Sequence, residues 1–394
     1  MPLSLYLLAL SVFAMGTSEF MLAGLVPDIA TGLDVSVGAA GLLTSAFAAG
    51  MVVGAPLMAA LARRWPVRAS LLGFVLTFVG MHIMGALTTS FAMLLVTRAV
   101  AALANAGFLA VALSAAATLV PVDQKGRALA VLLSGTTVAI IAGVPGGAML
   151  GTLLGWRATF WAIALLCLPA VFGIMKAIPV RPATAGHRAP KRAWACPSLR
   201  SEVAQLARIR LALVMFLGAL VNGATFATFT FLAPIVTDTA GLGQPWISIV
   251  LVLFGFGSFV GVTVAGRISD RHPAKVIGVG GSLLLLGWVA LALLAAHPLP
   301  LLLLVFVQGA LSFLLGSTLI ARVLYEAAGA PTMGGAYATA ALNIGAAGGP
   351  VMAAAALRAG AVGPVWVSSV LVALALLIVL PQLRFVAPHS KPRR

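Results

Sequence analysis

Charge is what this chain has least of. Only 8% of its 394 residues are Asp, Glu, Lys or Arg, while 62% are hydrophobic. A soluble globular fold is excluded, because its surface would need far more charge. Acids are scarcer than bases, eight against 24, and the net charge of +16 invites a nucleic-acid reading. The placement of the bases rejects it, since they sit in short clusters between apolar runs and form no continuous face. Cysteine is nearly absent. Cys167 falls in an apolar run and Cys196 in a basic loop, with neither metal-ligand spacing nor an oxidising setting. No disulfide, metal or cofactor is expected. There is no Ser/His/Asp set and no phosphate-cradling loop, which argues against a membrane enzyme and an ATP-driven pump.

What is present is a series of apolar runs of membrane-spanning length. Twelve spans can be drawn, over 4–26, 38–62, 69–87, 91–119, 128–153, 157–179, 211–236, 246–267, 275–296, 298–320, 335–357 and 364–383. At 1.5 Å per residue these are long enough to cross a hydrocarbon core of about 30 Å. The expected fold is therefore an all-α protein of twelve transmembrane helices in the lipid bilayer. The first run lacks a basic leader and carries Glu19, so it does not read as a cleaved signal peptide. With the N-terminus inside, every Lys and Arg except Arg98, Arg157 and Arg358 falls on the cytoplasmic side. Both termini are then cytoplasmic, in a bacterial inner membrane.

The chain also repeats. A shift of 207 residues aligns Pro27 with Pro234, Phe47 with Phe254, Gly50 with Gly257 and Gly54 with Gly261. Without a gap it goes on to align Arg64 with Arg271, Pro66 with Pro273 and Arg68 with Lys275. Two six-helix halves, 1–179 and 211–394, are expected to be joined by a basic linker, 180–210. An amphipathic surface helix around 199–210 is the alternative for the linker's second part. Paired halves of this kind point to a transporter with a midplane site between repeats.

The stretch Gly16–Asp28, GTSEFMLAGLVPD, carries the first chemistry. A carboxylate at the centre of a membrane helix costs roughly 2.5–3.5 kcal/mol on insertion scales, and protonation lowers that cost. Glu19 is thus a candidate proton carrier; its alternative role is a hydrogen bond to a neighbouring helix. Asp28 lies nine residues on, about 180° round the helix. Pro27 is expected to end the span there, leaving Asp28 as a secondary candidate at the outer rim. Arg98 is deep in span 4, either paired or lining a wet cavity, or else snorkelling to the interface. Asn105 shares its helix face. On span 7, Asn222, Thr225 and Phe229 share a face that could line a substrate cavity, with core packing as the alternative for the Phe. Asn343 in span 11 joins that cavity set. His82 reads as a packing or hydrogen-bonded residue.

Three stretches resemble known motifs. Gly266–Lys275, with Asp270, Arg271 and Lys275, resembles the loop motif of the major facilitator superfamily, with Pro273 where Gly is usual. Its first-half copy, holding Arg64 and Arg68, has Arg63 where the Asp belongs. The resemblance implies a gating latch; as plain topology determinants the bases would sit there anyway. The span-4 spacing of Arg98 resembles the superfamily motif linked to proton coupling. Gly143, Pro145, Gly146 and Gly147 in GVPGGAMLG resemble the antiporter motif of drug and metabolite exporters. The longer stretches GTSEFMLAGLVPDIA, NAGFLAVAL, GRALAVLLSGTTVA, TFTFLAPIVTDTAGLG and RVLYEAAGAPTMGG closely resemble the actinomycete chloramphenicol-resistance exporters. The family implied is the drug:proton antiporters, working as monomers that export a chloramphenicol-like drug against entering protons. GT-x-EF openings also resemble sugar and purine exporters. A channel or a membrane sensor is the reading from another class.

Overall fold

The computed structural model describes residues 2–61, 65–118, 120–121, 124–177, 199–330 and 333–382. Arg64, and the linker as far as residue 198, lie outside the described residues. The described chain is helical throughout, because in lipid every backbone N–H and C=O must be paired within its own segment. The spans of the first half are Leu3–Gly32 (1), Val37–Leu61 (2), Val67–Leu87 (3), Phe91–Thr118 (4), Lys125–Leu154 (5) and Trp156–Ala177 (6). Those of the second half are Ile209–Thr239 (7), Pro245–Ile268 (8), Pro273–Leu294 (9), Pro298–Glu326 (10), Gly334–Ala356 (11) and Gly363–Val379 (12). Among the described residues eleven helices are long and apolar enough to cross a membrane, and the 17-residue Gly363–Val379 is a shorter apolar helix that completes the set of twelve.

Proline shapes the spans differently from the expectation drawn from sequence. Pro27 does not end span 1. The helix breaks earlier, at Met21, and its second segment, Leu22–Gly32, carries Pro27 inside it. Span 7 breaks in the same way at Phe231, shortly before Pro234. A proline leaves the carbonyl four residues upstream without its donor, which fits the break at Phe231, whereas Met21 lies six residues before Pro27 and beyond that reach. In span 5 the turn before Pro145 is widened into a π-helical turn, Ala139–Gly143.

Each half builds its own core. Leu5, Phe47, Phe78, Phe108 and Phe160 belong to one buried cluster; Leu217, Phe254, Trp288, Leu319 and Val372 belong to the other. Phe231 and Ala353 reach into the first cluster, and Ala23 and Ala148 into the second, so the halves interlock there. The Phe231 ring fills the space that a side chain at Gly41 would take, and the Leu251 side chain of span 8 lies against Gly24. Both contacts lie toward the span 1–2 and span 7–8 loops. At Gly345 and Gly349 span 11 lies directly on the backbone of span 7, at Ala219 and Gly223.

The end of the linker lies mostly exposed and is anchored by one buried side chain. Leu199–Val203 is helical and Ala204–Ala207 forms a 3-10 turn, but Glu202 is 0% exposed. Its carboxylate accepts the Met333 N–H at 2.9 Å, at the start of span 11, and its carbonyl accepts the Tyr337 hydroxyl at 3.0 Å. A charged side chain so placed neutralises unpaired donors at a helix N-terminus.

Candidate functional site

Glu19 sits in the last turn before the break in span 1 and is half-buried, while Ser18 beside it is fully buried. Arg98, eight residues into span 4, is 1% exposed and does not snorkel. Its Nη1 donates to the Ser18 hydroxyl at 2.7 Å and its Nη2 to the Ser18 carbonyl at 2.8 Å. The guanidinium also covers the Phe47 ring, 4.4 Å from its centroid. The guanidinium's hydrogen bonds go to Ser18, the residue next to Glu19, and among the described residues no ion pair joins Arg98 to Glu19. The break at Met21 helps here, since the carbonyls just before a helix interruption are freer to accept a side-chain donor. On its other side Ser18 meets His82 of span 3, with the hydroxyl 2.7 Å from Nε2. His82 Nδ1 lies 2.8 Å from the Phe78 carbonyl.

Phe20, next to Glu19, turns the same end of span 1 toward the second half. It stacks on Phe226 at 5.7 Å and meets Phe229 edge-on at 6.3 Å. Phe229 continues to Phe254 at 4.7 Å, and Phe254 to Phe313 at 6.1 Å. This aromatic chain crosses the interface between the halves. Phe229 was the only member singled out from sequence. Of the other candidates, Thr225 returns its hydroxyl to the Val221 carbonyl and Asn343 its amide to the Thr339 carbonyl, each on its own helix. Asn222 donates across to the Leu342 carbonyl at 2.8 Å and ties span 7 to span 11. Asn105 lies against the Met51 sulfur at 3.8 Å.

Met51 is also a wall of an opening between the halves. A cavity of about 390 Å³ lies between spans 2, 4 and 11, lined by Met51, Met58, Ala106, Leu109, Gly335 and Thr339 among others. These residues occupy the ends of the spans that face the loops 2–3, 4–5 and 10–11. Apolar walls with adaptable Met side chains and few polar groups suit an uncharged, largely apolar small molecule.

The motif residues divide. Gly143 lies against the Thr17 side chain and Gly147 against Thr159, so both permit close packing around span 1 and span 6. Pro145 is buried, whereas Gly146 is exposed with nothing near it. Asp270, Arg271 and Lys275 are all exposed, Arg68 is half-buried, and among the described residues no ion pair joins them. Asp28 is half-buried on the second segment of span 1. The residues missed from sequence are Ser18, Phe20, Phe226, Phe254 and Phe313. A serine beside the one mid-span carboxylate was the available signal for the first. A run of Phe at helical spacing after Asn222 was the signal for Phe226.

The comparisons agree with this architecture. Over residues 8–252 and 215–394 the chain matches the family model described as Major Facilitator Superfamily. It is 69% identical over 97% of its length, and 96% of the relative's, to a protein named chloramphenicol resistance protein from Streptomyces lividans. It is 32% identical to the inner membrane transport protein YdhP of Escherichia coli strain K12, covering 90% of this chain and 88% of the relative. A bacterial homolog to the human lysosomal transporter Spinster, solved in an inward-facing and unoccupied conformation, shares the fold. Its TM-score is 0.70 at 18% identity, over 98% of this chain and 94% of that one. The chain is a multi-pass membrane protein that belongs to the Major Facilitator Superfamily.

Proposed function

We propose that this protein exports chloramphenicol, or antibiotics like it, from the cytoplasm in exchange for protons, and so confers resistance. The observation that carries the reading is the half-buried Glu19 beside the buried Arg98, at the end of span 1 that meets the aromatic chain between the halves. The resistance protein of Streptomyces lividans, similar over nearly the whole chain, supports the substrate class. The apolar cavity supports it over the sugar or purine alternative, since such substrates need many convergent polar groups.

The cycle follows by alternating access. With both termini and the linker 180–210 in the cytoplasm, the cavity between spans 2, 4 and 11 lies on the cytoplasmic side. The contacts of Phe231 with Gly41 and of Leu251 with Gly24 close the opposite side. Drug enters from the cytoplasm while Glu19 gives up its proton inward, helped by the positive charge of Arg98. The halves 1–179 and 211–394 then rock, the outer contacts part, and the drug leaves as Glu19 takes a proton from outside. The latch residues Asp270, Arg271 and Lys275 engage in the outward-open state. The test is uptake of labelled chloramphenicol into inside-out vesicles with an imposed pH gradient. Accumulation that needs the gradient is expected; uptake to simple equilibrium with or without it defeats the exchange reading.

A further inference from the structure

Hydroxyls in these helices have a habitual partner. Those of Thr17, Ser70, Thr225, Thr263, Ser282, Thr318 and Ser369 all donate to the carbonyl four residues back on their own helix. Ser18 departs from this pattern, and His82 supplies the reason. The Phe78 carbonyl can only accept, so His82 Nδ1 carries the ring proton and Nε2 is the acceptor of a neutral imidazole. The Ser18 O–H therefore donates to Nε2, and its oxygen is left turned toward Arg98 Nη1. The chain of donors runs Arg98 to Ser18 to His82 to the Phe78 carbonyl, with each link at 2.7 or 2.8 Å. His82 is 1% exposed and held between the Phe78 and Phe160 rings, at 4.2 and 5.7 Å, so it has no freedom to leave the chain.

We infer that His82 is a positioning residue for proton coupling: through Ser18 it holds the Arg98 guanidinium beside Glu19 but out of a direct ion pair with it. This rests on Glu19 being the proton site. A carboxylate in direct contact with an arginine is held ionised, by about one to three pH units for a typical pair, and resists reloading. An arginine bonded to Ser18 favours proton release without locking it. The ionisable groups on the helices around this part of span 1 are few. Arg98 and His82 face it; Tyr6 on span 1, Arg68 on span 3, Lys125 and Arg127 on span 5, Arg157, Cys167 and Lys176 on span 6, and Asp28 beyond the break are the others. Arg98, bonded to both the hydroxyl and the carbonyl of the adjacent Ser18, is the cation held against this turn of span 1.

Replacing His82 with Phe removes the acceptor. Ser18 then turns to its own helix carbonyl, as its neighbours do, and Arg98 Nη1 swings to the Glu19 carboxylate. Ser18→Ala has the same outcome by a second route and tests the idea should His82→Phe fold poorly. His82→Gln keeps an acceptor for Ser18 and a donor for Phe78, and should restore wild-type behaviour. The measurement is chloramphenicol binding to purified protein across pH, whose midpoint reports the proton that competes with drug. His82→Phe and Ser18→Ala should move the midpoint to lower pH by about one unit or more. Arg98→Ala should move it to higher pH. A midpoint unchanged in both variants, or moved upward as in Arg98→Ala, overturns the inference while leaving the Glu19 reading standing. A wild-type profile in Glu19→Gln defeats the Glu19 reading itself.

Discussion

Glu19 has no counterpart in the other half: the position 207 residues further on is Phe226, in the aromatic chain. Only the first half thus carries a mid-span carboxylate, and the second half offers rings at the equivalent depth. Glu19→Gln should abolish gradient-driven export while drug binding to the purified protein persists, because a neutral amide mimics the protonated state and cannot cycle. Glu19→Asp should keep part of the activity. Wild-type export by Glu19→Gln would remove Glu19 from the mechanism. Arg98 acts through charge, so Arg98→Ala should make the carboxyl hold its proton to higher pH and move the export optimum upward. The same substitution strips the Ser18 hydroxyl and carbonyl of their donors, and loss of a charge-assisted buried bond costs about 1.5–3 kcal/mol. The pH profile is therefore to be read on correctly folded protein, checked by its drug affinity. At this scale the sequence was informative about charge and silent about partners. A lone Glu and a lone Arg are conspicuous in apolar runs. That Ser18 and His82 connect them depends on three helices meeting, which no local pattern encodes.

Between elements, small residues decide how closely the spans approach. A methyl group at Gly345 would meet the Ala219 carbonyl of span 7, whereas one at Gly348 would meet open space. Gly345→Ala should therefore destabilise by about 1–3 kcal/mol, read as a lower unfolding temperature in detergent, with Gly348→Ala nearly neutral. Equal effects at the two sites would mean that span 11 does not lie on span 7 as described. The spans themselves were legible, because continuous apolar runs bounded by bases and Pro or Gly leave little choice of structure. Their bends were not. Pro27 reads as a terminator in one dimension, yet its helix runs on to Gly32, since in lipid the next residues have no better way to pair their backbone groups. Nor does the sequence mark Glu202, whose partners Met333 and Tyr337 lie 131 and 135 residues further along the chain. The loop motif makes a further prediction at this scale. Asp270 is exposed here, on the side where the cavity opens, as suits a latch that is released. Asp270→Asn should shift the balance toward this state and lower the labelling of cysteines placed at the outer rim near Gly41. Equal labelling of wild type and Asp270→Asn counts against a latch.

For the whole molecule the question is what drives the rocking of two interlocked halves. Chloramphenicol is uncharged, so a cycle that exports one drug and admits one or more protons through Glu19 carries net positive charge inward. Each charge crossing the membrane is worth about 2.3 kcal/mol per 100 mV, in addition to the chemical gradient of the proton. Export should therefore respond to both parts of the proton gradient. In reconstituted vesicles, collapsing the potential with valinomycin and potassium should slow drug flux, and nigericin should slow it through the pH term. The outer contacts must also close once per cycle, so a bulky side chain that wedges them apart should stop flux; Gly41, filled by the Phe231 ring, is the place to put one. The two tests separate mechanisms. A channel or passive facilitator would pass drug regardless of either ionophore, because nothing in its path needs a proton to arrive or leave. An exchanger with Glu19 on its moving interface must feel both. Flux indifferent to valinomycin and nigericin together would take the proton out of the cycle and leave Glu19 a structural hydrogen-bond partner.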